Sequence, residues 1–320
     1  MSKVLVTGVT GFVGSHLSAR LIEDGYEVYG LVRRVANRYL KPLEEILKDI
    51  VLLNGDITDY VSIRSALRTT KPDFVIHLAA LTPVRDSFER PFEYEQAAYL
   101  GAMNIAHAML ELPDPQTRRL IAASTAEVYG IQGRKPLIED LALNPTSPYA
   151  VCKASADLYL RMIFHSYGLN VVILRPTNTY GRKFDKSFIV EYLVTEMLRG
   201  KKVYVGAPDS VRDFMYIGDH INAYLLAMRK KEAIGEVFNV GTGIGTSNRE
   251  LAKKIADKIG YDKNNLVFGS YPPGYPYRPL ISDQPYLVLD ATKIKTKLGW
   301  KPKVSLSEGL DKVISYFRRA

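Results

Sequence analysis

One cysteine, one tryptophan and five histidines stand among the 320 residues. The lone thiol, Cys152, closes no internal disulfide, and between Tyr149 and Lys153 it reads as helix packing rather than a nucleophile. The histidines are scattered, with no pair at metal-ligand spacing, so no metal site is expected. No apolar run approaches the roughly 20 residues of a membrane span, and no secretory apolar core precedes the first strand, at Lys3. No low-complexity tract and no repeat period appear. A basic block is missing too: the net charge is +9, but cations alternate with acids, as from Arg249 to Lys258, without interleaved aromatics. These absences exclude a nucleic-acid platform and a membrane protein. They leave a soluble, cytoplasmic chain whose 47% apolar content suffices for one sizeable core or two interlocked ones.

What is present begins at once. Thr7-Gly8-Val9-Thr10-Gly11-Phe12-Val13-Gly14 follows the apolar run Val4-Leu5-Val6 and opens the amphipathic stretch Ser15 to Glu23. Strand, glycine turn and helix in that order suit a dinucleotide pyrophosphate. Gly8 permits the tight turn, Gly11 admits the backbone to the phosphates, and Gly14 lets helix pack on strand. Far downstream, Tyr149 and Lys153 lie four residues apart, on one face of a helix. A lysine cation and a positive nicotinamide ring would both favour tyrosinate, lowering the phenol towards the range of a working general base.

Apolar runs near 3 to 7, 27 to 32, 50 to 53, 73 to 78, 119 to 124 and 170 to 175 read as strands separated by helical patterns, hence a doubly wound parallel α/β sheet. The longest helices are expected over Pro91 to Leu112 and Ser147 to Tyr167. Beyond Asn178 the pattern loosens into helix 189 to 199, strands near Val203 and over 236 to 240, helices 247 to 259 and 306 to 318, and a Pro- and Tyr-rich loop from Tyr271 to Pro285.

The two motifs, with Asn54-Gly55-Asp56-Ile57-Thr58-Asp59, His77-Leu78-Ala79-Ala80, Ser124-Thr125-Ala126-Glu127-Val128-Tyr129-Gly130, Asn144-Pro145, Arg175-Pro176-Thr177-Asn178, Arg212-Asp213-Phe214 and Phe238-Asn239-Val240-Gly241, resemble the extended short-chain dehydrogenase/reductase family in its nucleotide-sugar epimerase/dehydratase branch. The resemblance runs along nearly the whole sequence. It implies a Rossmann-type domain over 1–177 and a smaller, interwoven α/β substrate domain over 178–320, with the active site in the cleft between them. It implies a homodimer joined through the two long helices as a four-helix bundle.

Residue by residue, the resemblance implies that Thr125, Glu127, Tyr149 and Lys153 are catalytic. Gly8, Gly11, Phe12, Val13, Gly14, Asp56, Ile57, Leu78, Ala79 and Ala80, with Tyr149 and Lys153, would line the cofactor. Where an NAD enzyme places an acid after the second strand, this chain has Val32 followed by Arg33 and Arg34, which favours NADP over NAD; a pair of solvated surface arginines is the competing reading. Thr82, Ser87, Asn178, Arg212 and Arg278 would contact the nucleotide-sugar, the arginines as forks on its diphosphate.

The chemistry expected is oxidation at C4 to a 4-keto sugar, after which a carboxylate can remove the acidified C5 hydrogen. Dehydratases of the family read Thr, Asp or Ser, Glu; here Ala126 takes the middle place. The segment Leu81 to Pro91 resembles the loop of GDP-mannose dehydratases, so 4,6-dehydration of a GDP-hexose stands first. UDP-hexose 4-epimerisation, NADPH-dependent reduction of a GDP-4-keto-6-deoxy-hexose and a catalytically silent NADP-binding protein stand behind it.

Overall fold

The computed structural model describes residues 1–33, 40–274 and 283–319. Seven parallel strands form the central sheet, in the order β10 (Val237–Val240), β6 (Asn170–Pro176), β5 (Arg119–Ala123), β4 (Phe74–His77), β1 (Lys3–Thr7), β2 (Glu27–Val32) and β3 (Ile50–Asn54). Strands buried on both faces need near-continuous apolar runs, and Val4-Leu5-Val6 and Val171 to Leu174 supply them. The order reverses between β1 and β4, so the carboxyl ends of these strands open the crevice where such sheets take their ligands.

Helices cover both faces. On one lie α1 (Phe12–Glu23) and α7 (Ile217–Arg229), and on the other α2 (Tyr60–Thr70), α4 (Gly101–Leu110) and α5 (Pro148–Tyr167). The first of the two expected long helices is interrupted. Its opening segment α3 (Pro91–Glu95) passes through a π-helical turn, Gln96–Leu100, before α4.

After β6 the chain builds outward. The short strands β7 (Asn178–Tyr180), β9 (Val211–Tyr216), β11 (Gly245–Ser247) and β13 (Tyr286–Leu287) form a second sheet, and β8 (Val203–Val205) pairs with β12 (Leu266–Phe268). A separate core lies beneath α6 (Ile189–Leu198), α8 (Asn248–Ile259) and α10 (Leu306–Arg319), while the short helix α9 (Thr292–Leu298) joins the first core. After β9 the chain returns to the central sheet, α7 packing on its face and β10 completing its edge.

Candidate active site

The glycine turn after β1 is built as a phosphate cradle. Gly8 adopts φ +69°, and a Cβ there would meet the Ala79 nitrogen at 2.7 Å; one on Gly14 would meet the Gly8 carbonyl oxygen at 2.2 Å. Gly11 caps α1 without a side chain, and the first turn carries no acid, so its amides and dipole remain directed at the crevice. Thr7 ties the cradle to the neighbouring strand. Its buried hydroxyl accepts from the backbone N–H groups of Leu78 and Ala79, both at 3.2 Å, and contacts His77 Nδ1 at 2.9 Å. These features fit a dinucleotide pyrophosphate. Asp56 shapes the β3–α2 turn by accepting from the Thr58 N–H and hydroxyl at 2.9 Å, with Ile57 buried beneath. Arg33 lies exposed just past β2; Arg34 lies outside the described residues, as does Arg278.

At the end of β5, Thr125 caps the 3-10 turn Ala126–Tyr129 by accepting from the Glu127 N–H at 3.3 Å. The turn closes on Gly130 at φ +64°, where any Cβ would lie 1.7 Å from the Asn144 carbonyl oxygen. Below it, Tyr129 donates to Asn239 Oδ1 at 2.7 Å and accepts from Arg175, whose fork grips Asp157 on α5 through two bonds of 2.9 Å. One buried network therefore joins the turn bearing Glu127 to the helix bearing Tyr149 and Lys153.

Ser147 caps α5 by accepting from the Ala150 N–H at 3.2 Å, with Pro148 opening the helix, so Tyr149 stands in its first turn and Lys153 in its second. Tyr149 is buried against Tyr94, ring edge to face at 6.2 Å. Burial pushes its phenol up to about 12; the Thr125 hydroxyl pulls it back, and the Glu127 carboxylate raises it. Lys153, buried itself, falls to about 8 through desolvation and donates to the Ala123 carbonyl. Burial, with the Lys153 cation nearby, holds His77 neutral, at about 3.

Glu127 is gripped by a residue without any sequence signal: buried Gln284 donates to its Oε2 at 2.9 Å and to its carbonyl oxygen at 3.3 Å. Of the expected substrate contacts, Arg212 is nearly buried and donates to Asp283 at 2.6 Å, and Asn178 carries a buried Oδ1 without a partner among the described residues. Thr82 is exposed on its loop. Ser87 is fully buried and donates to the Val84 carbonyl at 2.6 Å, so its hydroxyl serves its own turn.

A sequence model described as GDP-mannose 4,6 dehydratase matches residues 5–313. The chain belongs to that family. Its relatives in the extended short-chain dehydrogenase/reductase family include nucleotide-sugar 4,6-dehydratases and 4-epimerases. The chain is 32% identical over 323 residues to a UDP-glucose 4-epimerase of Mycolicibacterium smegmatis, covering 99% of this chain and 98% of that one. The solved UDP-glucose 4-epimerase of Thermotoga maritima, with UDP-glucose, superposes with a TM-score of 0.88 at 33% identity over 99% of both chains. A dTDP-glucose 4,6-dehydratase of Streptomyces venezuelae, solved with NAD, superposes at 0.87 with 28% identity, over 99% of this chain and 97% of that one. Among these relatives the base of the nucleotide and the reaction both vary.

Proposed function

We propose that the protein is a nucleotide-sugar 4,6-dehydratase acting through a 4-keto intermediate, with a GDP-hexose of the mannose type as its substrate and NADP ahead of NAD as its cofactor. The observation that carries the reading is Glu127, a carboxylate held beside Tyr149 by a buried amide. A 4-epimerase needs no such base.

Tyr149, steadied by Thr125, takes the C4 hydroxyl proton. Thr7 and the glycine cradle would hold the dinucleotide, whose chemistry when bound would be to take up the C4 hydride and give it back at C6 once water has left, a proton returning to C5. Glu127 removes the C5 proton made acidic by the new ketone, and the C6 hydroxyl departs as water. Buried Ala126 holds the place of the Asp or Ser of related dehydratases, so Glu127 must itself hand the proton to the leaving hydroxyl. Arg212, with Arg278, binds the diphosphate, and Asn178 the sugar end. Support for GDP comes from the matched family and from the Leu81 to Pro91 loop; support for NADP comes from Val32 and Arg33 at the end of β2.

Ala126 and the identity to UDP-glucose 4-epimerases favour a second reading, a UDP-hexose 4-epimerase. Incubation with GDP-, UDP-, CDP- and dTDP-hexoses, without reduced cofactor, separates the two: loss of one water supports the dehydratase, and an unchanged mass with inverted C4 supports the epimerase.

We further propose a homodimer through α3, α4 and α5. Phe92 on α3 and Val151 and Leu158 on α5 are exposed around one surface cavity, an apolar patch suited to a four-helix seam.

A further inference from the structure

We infer that Gln284 is a positioning residue that holds Glu127 as an oriented carboxylate. The inference rests on the dehydratase reading above and extends it to a residue outside the motifs.

The geometry fixes the amide. Two acceptors, the Glu127 carbonyl oxygen and carboxylate Oε2, face the same terminal atom of Gln284, at 3.3 and 2.9 Å, and only an NH2 satisfies both. Gln284 has no exposed surface, and its Oε1 lies buried without a partner among the described residues. A buried amide that leaves its acceptor unmade in order to donate twice to one glutamate is oriented by that glutamate. Hydrogen bonds to the charged form of a carboxyl favour that form, so the arrangement readies Glu127 for the proton-abstracting half of its task. The same turn is fixed from below through Tyr129, Asn239 and Arg175, so Gln284 controls the carboxylate more than the backbone.

The test uses the full protein with GDP-mannose, or with whichever panel sugar turns over, in deuterated buffer. Two readouts are taken: formation of reduced cofactor in a single turnover, which reports the Tyr149 step, and exchange of the C5 hydrogen, which reports Glu127. Gln284→Leu should leave cofactor reduction within about twofold, slow C5 exchange about ten- to a hundredfold, and move the acidic limb of its pH profile upward. Gln284→Glu places a second carboxylate against Glu127 and should move that limb further. Exchange at the wild-type rate and pH profile in both variants overturns the inference. So does an equal slowing of both readouts, the mark of a merely structural role. If wild-type protein reduces cofactor without ever exchanging C5 hydrogen, the dehydratase reading fails and the role of Gln284 falls with it.

Discussion

The guanidinium of Arg212 lies 2.6 Å from the carboxylate of Asp283, seventy-one positions along the chain, and both side chains are largely shielded from water. An anion that enters this place must share Arg212 with Asp283. Asp283→Asn keeps the shape and removes the opposing charge, so binding of a nucleoside diphosphate should strengthen severalfold, measured by calorimetry. Arg212→Ala should weaken it by tenfold or more. Weaker binding by Asp283→Asn would make Asp283 itself a ligand of the nucleotide.

Cofactor choice turns on the end of β2. Arg33→Ala should weaken NADPH binding by about tenfold, one charge-assisted hydrogen bond's worth, while NADH binding changes little. Fluorescence titration of both cofactors decides it. Equal loss for the two would leave Arg33 as a solvated surface residue.

Legibility of the fold followed burial. The strands up to residue 176 were readable from their apolar runs, which the inner ones, such as β1 and β6, owe to cover on both faces. β9 (Val211–Tyr216) was not readable, because Arg212 and Asp213 break its apolar run. Asp213 is nonetheless fully buried, accepting from Thr242 and Gly243 at 2.9 and 3.0 Å, partners that only the tertiary fold supplies. In α7, likewise, Asp219 and His220 are buried where an amphipathic pattern would put apolar side chains. Thr125, Glu127, Tyr149 and Lys153 stood in motifs. Gln284 acts through a contact across 157 positions and leaves no local trace.

Acid should destabilise the protein in a defined window. Burial holds both His77 and His220 at about 3, whereas in the unfolded chain each protonates near its ordinary 6.5. Between those values the unfolded state binds protons that the native state refuses, so stability is complete above 6.5 and falls as pH drops towards 3. Each histidine should cost about 2 kcal/mol at pH 5. Urea midpoints at pH 7 and pH 5 read the loss, and His220→Gln should reduce it; an unchanged pH slope in the variant would contradict the assignment.

The proposed dimer predicts that Leu158→Arg, at the exposed face of α5, shifts the mass seen by light scattering from two chains to one. A wild-type protein that is already monomeric would refute the seam.

Most direct for the central claim is a single-turnover experiment with Glu127→Gln, a substitution that keeps the contact with Gln284 but removes the base. Loaded with cofactor and substrate, this variant should reduce cofactor and accumulate the 4-keto hexose without losing water, while Tyr149→Phe does neither, its rate falling about a hundredfold or more. Water loss by Glu127→Gln at the wild-type rate would contradict the account.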